Sequence, residues 1–318
     1  MNVHLIYNPL AGAWDAHRAI DRIQSQLTKR GWTVEAKATE RQGDATKLAR
    51  QAAEAHCDAA IVAGGDGTVN EAVNGLVGSE TALGVLPIGT VNVWARQLGL
   101  PHSVLAQPLI LREAVEELTQ SAVCRVDVGQ ANDRCFLCWA GIGLDARVTA
   151  KMEPRTKSSK RLGPIPYVIA ASQIAQDFRG VRARVRMNDE VERGRTLLVL
   201  ASNIQQYAGE FKVASEAKID DGLLDIFIFK GLGFSYIVGH LLKILSQRHF
   251  DDPQVVYRRA HHIQIKAEEE MPLQVDGEPI GETPVRLRIL PRALRALVPP
   301  SAPTSLFKHP PEETPQVV

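Results

Sequence analysis

Gly64-Gly65-Asp66-Gly67-Thr68-Val69-Asn70-Glu71 follows a short apolar run, Ala59 to Ala63, and opens a stretch with helical periodicity, Thr68 to Val77. Glycines let the backbone turn tightly and approach a ligand closely, and the first amides of a helix point outward without intrahelical partners. Such a strand-loop-helix junction suits an anion, above all a phosphate. Thr68 and Glu71 also have the Thr-x-x-Glu spacing of a capping box, which would explain those two residues but not Asp66. A carboxylate beside phosphates is unfavourable unless a cation or a reacting hydroxyl proton offsets it. Asp66 therefore points to Mg²⁺ handling or general-base work.

Outward from this loop the pattern repeats. Strands are predicted at Val3 to Tyr7, Thr33 to Ala38, Ala59 to Ala63 and Leu83 to Leu86, with helices at Trp14 to Arg30, Asp44 to Ala55, Thr68 to Val77 and Leu109 to Gln120. Repeated β-loop-α text implies parallel strands covered on both faces, a doubly wound α/β domain that gathers ligands at the carboxyl ends of its strands. Two further strand-end loops belong to the same edge, Asn8-Pro9-Leu10-Ala11-Gly12 and Pro87-Ile88-Gly89-Thr90-Val91-Asn92. Thr39, with Gly43-Asp44-Ala45 behind it, ends the second strand in the same way.

Past residue 124 the text becomes strand-rich: Arg125 to Val128, Cys135 to Ala140, Val181 to Met187, Leu197 to Ser202, Leu223 to Phe229, His262 to Ala267 and Val285 to Leu290. Helices are expected at Pro166 to Gln176 and Phe234 to Gln247. The expected organisation is an α/β domain over 1–124 and an antiparallel, β-sandwich-like domain over 125–298, whose last residues are free to return to the first domain. A disordered, proline-rich tail is expected over 299–318.

Composition is that of a globular protein: 318 residues, 45% apolar and 23% charged, which excludes disordered and fibrous classes. Lysine and arginine number 37 against 36 acidic residues, so the net charge of +1 gives no global field to collect nucleic acid. Four cysteines are too few for a disulfide scaffold, and Cys135 and Cys138 read as small core residues. No apolar run approaches the roughly 18 residues of a membrane span, and the start lacks the pattern of a secretory signal, so a cytoplasmic protein is expected. Lys151, Arg155, Lys157, Lys160 and Arg161, against Glu153, form a basic segment beside Leu162-Gly163-Pro164-Ile165-Pro166-Tyr167 that could meet anionic headgroups at a membrane periphery.

Several classes are excluded. No Gly-x-x-x-x-Gly-Lys-[Ser/Thr] occurs, nor a protein-kinase His-Arg-Asp or Asp-Phe-Gly set. Gly141-x-Gly143-x-x-Ala146 mimics a dinucleotide fingerprint, but the acidic residue due about 20 positions later is missing. The histidines lack zinc-site spacing.

Six motifs in order carry a resemblance: Asn8-Pro9-x-x-Gly12; Thr39 with Gly43-Asp44-Ala45; Gly64 to Glu71; Pro87-x-Gly89-Thr90-x-Asn92-x-x-Ala95-Arg96; Asp220-Asp221-Gly222-Leu223-Leu224-Asp225; and Val275-Asp276-Gly277-Glu278. Together they resemble the diacylglycerol kinase catalytic-domain family, which includes bacterial lipid kinases and sphingosine kinases. The resemblance implies an α/β nucleotide-binding domain and a β-rich lipid-binding domain, with the active site in the cleft. It implies ATP contacts from Asn8, Pro9, Gly12, Thr39, Gly65, Asp66, Gly67, Thr68, Asn70, Glu71 and Thr90. It also implies a structural Mg²⁺ held by the Asp221 carboxylate and the carbonyls of Lys218 and Leu223, and a proton acceptor within Asp276 to Glu278. Read without the family, Asp220-Asp221-Gly222 is a turn before a strand, and Val275 to Glu278 is a hairpin turn.

Asp66, Asp276 and Glu278 are the candidate catalytic carboxylates, and which of them is the base is open at this point. Tyr207 to Ala214 departs from relatives, which carry a richer glycine run and a proline there. The expected function is ATP- and Mg²⁺-dependent phosphorylation of a hydroxyl of diacylglycerol or a related lipid. An NAD kinase-like phosphotransferase and a non-catalytic nucleotide- or lipid-binding protein are the alternatives. No nucleic-acid partner is expected, and a homodimer is left open.

Overall fold

The computed structural model describes residues 1–11, 16–101, 107–152, 173–207 and 211–310. Gly12, Arg155, Lys157, Lys160 and Arg161 lie outside the described residues, as does most of the helix expected at Pro166 to Gln176, of which residues 173–176 are helical. The chain divides into two compact units, Met1–Val128 with Ile219–Asp221 and Pro291–Val318, and Gly129–Lys218 with Gly222–Leu290.

The first unit runs β1 (Asn2–Tyr7), α1 (Ala16–Lys29), β2 (Thr33–Ala38), α2 (Asp44–Glu54), β3 (Ala59–Gly64), α3 (Asp66–Leu76), β4 (Ala82–Pro87), α4 (Val93–Gln97), α5 (Gln107–Thr119) and the start of β5 (Ala122–Ala131). Its sheet is parallel, in the order β2-β1-β3-β4. β3 and β4 are buried almost throughout, which is why they read as continuous apolar runs rather than as alternation. Val3, Leu5 and Ile61 pack with Ile23 and Leu27 of α1 and Val115 and Leu118 of α5. α2 and α3 join through small residues: a Cβ on Gly75 would collide with the Thr46 carbonyl oxygen and come within 2.9 Å of the Ala49 side chain.

The second unit continues with β6 (Arg134–Phe136), β7 (Trp139–Gly143), α6 (Leu144–Met152), β8 (Val181–Met187), β9 (Glu190–Ser202), β10 (Gln206–Tyr207), β11 (Phe211–Lys212), β12 (Leu224–Lys230), α7 (Phe234–Leu245), β13 (Val255–Ala260), β14 (His262–Ala267), β15 (Pro272–Val275), β16 (Glu278–Glu282) and the first part of β17 (Val285–Val298). Its main sheet is antiparallel. β9 is its spine, pairing with β7, β8 and β12. β8 alternates cleanly, with Arg182, Arg184 and Arg186 outward and Ala183, Val185 and Met187 in the core. This is the wet strand face that its arginine spacing suggests.

Three expectations change. The tail does not begin at 299, since Leu306 and Phe307 are buried; the chain from Pro291 makes the return to the first unit that the sequence left open, with β17 parallel to β4. Burial of two large side chains holds residues 299–310 despite their prolines. The single strand expected at Cys135 to Ala140 is two, β6 and β7, because the amides between them bond to a carboxylate instead of a neighbouring strand. The capping box is not formed: α3 starts at Asp66 with Gly65 as its N-cap, so Thr68 lies inside the helix.

Candidate active site

In the first unit, the ends of β1, β3 and β4 converge. Gly65 and Gly89 touch backbone to backbone, so that a Cβ on Gly89 would lie 2.5 Å from the Gly65 Cα. A Cβ on Gly64 would strike the Thr68 side chain at 2.7 Å. The glycines are therefore required by close packing at the mouth of α3. Its first turn has no side-chain cap, so the anion-suited amides anticipated from the sequence lie at this loop.

Asp66 bridges two loops. Its Oδ2 accepts from the Asn92 amide at 3.0 Å and its Oδ1 from the Val93 amide at 2.6 Å, so the carboxylate caps α4. Asn92 adopts the left-handed conformation at φ 54° and closes its own turn, donating Nδ2–H to the Gly89 carbonyl and accepting from the Gly89 amide. Thr90 lies in this turn. On the β1 side, Asn8 Nδ2 approaches Thr68 Oγ1 at 3.5 Å while its Oδ1 accepts the Leu10 amide, the turn that carries Pro9. Thr39 follows β2 with its amide on the Tyr7 carbonyl.

Asn8, Pro9, Thr39, Gly65, Asp66, Gly67, Thr68 and Thr90 are thus gathered on the strand ends of one sheet. Asn70 and Glu71 lie further along α3. Asn70 is buried and its main-chain carbonyl accepts from Asn74 Nδ2, and Glu71 Oε2 accepts the Ala45 amide at the start of α2. Both residues are buried where α3 packs on its neighbours.

In the second unit, Asp276 and Gly277 form the two-residue turn between β15 and β16, at φ 47° and 86°. Two consecutive positive φ values define the primed turn that suits a twisted hairpin. The Asp276 carboxylate is buried. Oδ2 accepts from Leu137 N at 2.7 Å, and Oδ1 accepts from Cys138 N and Trp139 N, both at 2.9 Å. Glu278 accepts from Arg134 Nη2 at 2.8 Å and remains partly exposed.

Behind the turn lies a network that the motif reading missed. Gln274 Oε1 accepts the Gly277 amide at 2.7 Å, Gln274 Nε2 donates to Asp145 Oδ2 at 2.5 Å, and Tyr207 donates its hydroxyl to Asp145 Oδ1. A Cβ on Gly141 would collide with Asp145 Oδ2. The glycine pair that mimicked a dinucleotide fingerprint makes room for this buried carboxylate, and Gly143, at φ 101°, turns the chain into α6.

The Asp220-Asp221-Gly222 loop divides its acids. Asp220 is buried and accepts the amides of Lys308 and His309 at 2.5 and 2.8 Å, whereas Asp221 is partly exposed. Gly222 turns the loop at φ 78°. Among the described residues no three His, Cys, Asp or Glu side chains group closely enough to hold a metal, so a cation at this loop would draw on main-chain oxygens beside Asp221. That all-oxygen donor set fits a hard ion. Burial raises the Cys135 thiol, and the Cys124 thiol is pushed up to about 11, also by burial and then by Asp220. All four cysteines are free, and Cys135 and Cys138 are buried, as expected of core residues.

A parallel sheet with a glycine-lined, phosphate-suited edge, followed in the chain by an antiparallel unit with an acid-bearing hairpin, defines a two-unit α/β plus β protein of the phosphotransferase type. Residues 2–131 match the diacylglycerol kinase catalytic domain, and residues 139–298 match the YegS C-terminal NAD kinase beta sandwich-like domain. The diacylglycerol kinase of Staphylococcus haemolyticus is 33% identical over 298 residues, 93% of this chain and 87% of that one. That of Staphylococcus saprophyticus is 33% identical over 283 residues, 88% and 90% of the two chains. The crystal structure of a diacylglycerol kinase from Bacillus anthracis str. Sterne superposes with a TM-score of 0.71 at 26% identity, covering 95% of this chain and 98% of that one. The chain belongs to the diacylglycerol kinase family.

Proposed function

We propose that the protein is an ATP-dependent lipid kinase that transfers the γ-phosphate of ATP to a hydroxyl of diacylglycerol or a related lipid. The observation that carries this reading is the first-unit edge, where Gly65 and Gly89 meet, Asp66 ties the two loops together, and the N-terminus of α3 lacks a side-chain cap. Asn8, Pro9, Thr39, Gly65, Gly67, Thr68 and Thr90 would hold the nucleotide, with phosphate oxygens on backbone amides. Phosphoryl transfer needs positioning and charge neutralisation more than covalent chemistry, and this edge supplies the former.

The hydroxyl proton would pass to Glu278. Asp276 is committed to three amides, whereas Glu278 is partly exposed on the turn that those bonds fix. Asp66 acts as an architectural bridge rather than as the base. A Mg²⁺ would be held by Asp221 with the carbonyls of Lys218 and Leu223, and would supply positive charge and order to that loop.

The test is transfer of labelled γ-phosphate from ATP, with Mg²⁺, to detergent-dispersed diacylglycerol, sphingoid bases and NAD, followed by product separation. A labelled phospholipid is expected. Labelled NADP would replace the acceptor assignment, and absence of product from folded, ATP-binding protein would refute turnover on these acceptors.

A further inference from the structure

α7 is inside out. Of its side chains only His240 is buried, while Phe234, Tyr236, Leu241, Leu242 and Leu245 are exposed, Leu242 at 60%. Ile237 and Ile244 are only half-buried, and the fully buried contacts are polar: His240 lies 2.8 Å from the Lys230 carbonyl and 3.2 Å from Asp252, and Lys243 pairs with the same buried Asp252 at 3.0 Å. The His240 ring also meets the edge of Phe229 at 5.3 Å. A soluble amphipathic helix does the reverse, burying its leucines and exposing its charges. Exposed apolar side chains gathered on one helix in this way mark a place where something docks.

Charge around the helix selects the occupant. Arg179 lies against Gly233 at the start of the helix, exposed Lys212 follows exposed Phe211 on β11, which packs against α7, and exposed Arg248 follows the helix end. Asp252 is turned inward and already paired, leaving Asp251 as the exposed acid beside the helix end. An apolar helix face with two aromatics at one end and a cationic border matches the interfacial zone of an anionic bilayer. We propose that α7 lies in the surface of an anionic phospholipid membrane, with Phe234, Leu241, Leu242 and Leu245 entering the acyl boundary and Arg179, Lys212 and Arg248 meeting the phosphates.

This inference deepens the lipid-kinase reading, because an acceptor lipid resides in such a surface. It places contact on α7, on residues other than the basic segment of the sequence. Binding is read without ATP, by co-sedimentation with phosphatidylglycerol/phosphatidylcholine vesicles. The L241Q/L242Q/L245Q variant is expected to bind at least tenfold more weakly than the unmodified chain, with an unchanged melting temperature and unchanged turnover of detergent-dispersed acceptor. In a second variant, Leu242→Trp, indole emission should shift to the blue on anionic vesicles and be quenched by brominated lipid. Wild-type protein that does not sediment with the vesicles, a triple variant that binds like wild type, or an L242W variant whose emission stays unshifted would each overturn the proposal. So would a dimer in vesicle-free solution that the triple substitution dissolves, since the face would then be a protein interface. Vesicle binding is independent of turnover, so a failed kinase assay and a failed docking assay are separate results.

Discussion

The loop after β3 and the turn after β15 both present an aspartate beside glycine, and both aspartates spend their carboxylates on backbone amides. They do so in opposite ways. Asp66 reaches from one strand-end loop to the next and caps α4, so it fixes the spacing between two loops of a parallel sheet. Asp276 instead gathers three successive amides of one neighbouring segment, breaking what would be a continuous strand into β6 and β7. On the proposed reading, phosphate binding falls to the backbone that Asp66 positions, and the base is the next side chain after Asp276, Glu278. An acidic residue in a glycine-rich motif is thus as much a construction element as a reagent.

The sharpest way to break this comparison is to remove each acid of the hairpin. Asp276→Ala strands three buried amide donors, and at about 1–3 kcal/mol for each unsatisfied group the second unit should lose several kcal/mol of stability. Hydrogen exchange at Leu137, Cys138 and Trp139 should accelerate and turnover should vanish with the fold. Glu278→Gln should leave melting within about 1 kcal/mol, since it alters a partly exposed ion pair, while lowering turnover by roughly 10²–10⁴-fold. A stable Asp276→Ala protein, or an active Glu278→Gln protein, would invert the assignment of the two acids. The corresponding test in the first unit is Gly89→Ala. Its Cβ would meet the Gly65 backbone at 2.5 Å, so the loops must separate at a cost of about 1–3 kcal/mol, and ATP affinity, read by calorimetry, should fall with it.

How much of this was legible beforehand depended on whether a signal was local. β3 and β4 are continuous apolar runs because both of their faces are covered, and β2, β8 and β14 fall where their residue patterns put them. The glycine-rich edge was legible too, since strand-helix junctions carry their own punctuation. What Asp66 bonds to was not, because its partners Asn92 and Val93 lie 26 and 27 residues away. The Asp145-Gln274-Tyr207 network was hidden for the same reason: residues 129 apart cannot announce each other. Gly141 and Gly143 were the one local trace of it, read as a nucleotide motif that failed. α6 went unpredicted for want of a strong apolar stripe, and the fold of residues 299–310 depends on Leu306 and Phe307 finding a distant core.

Asp66→Asn gives a smaller effect and tests the bridge. The carboxamide can accept only one of the two amides and turns an N–H toward the other, so a loss of about 1–2 kcal/mol is expected together with weaker ATP binding. A base at this position would predict the opposite split, intact melting and intact ATP affinity with turnover abolished.

The smallest effects are expected at Asp145 and Tyr207, which are not among the proposed substrate contacts; Asp145 supports the hairpin through Gln274. Asp145→Asn keeps the side-chain volume and replaces one acceptor by a donor, so either the Tyr207 hydroxyl must turn to accept or Gln274 must find another partner. Because Gln274 also holds the Gly277 amide, the loss should reach Glu278 as a small misplacement, lowering turnover by about three- to tenfold. KM for ATP should stay constant, since the nucleotide loops belong to the other unit. Tyr207→Phe removes the second donor to Asp145 and should have the weaker effect of the two, because Gln274 keeps its bond. If Tyr207→Phe instead matches Asp145→Asn in turnover, the hairpin is held by the whole network rather than by Gln274 alone, and the two regions differ in kind: one aspartate suffices to set the first, and a chain of three side chains is needed to set the second.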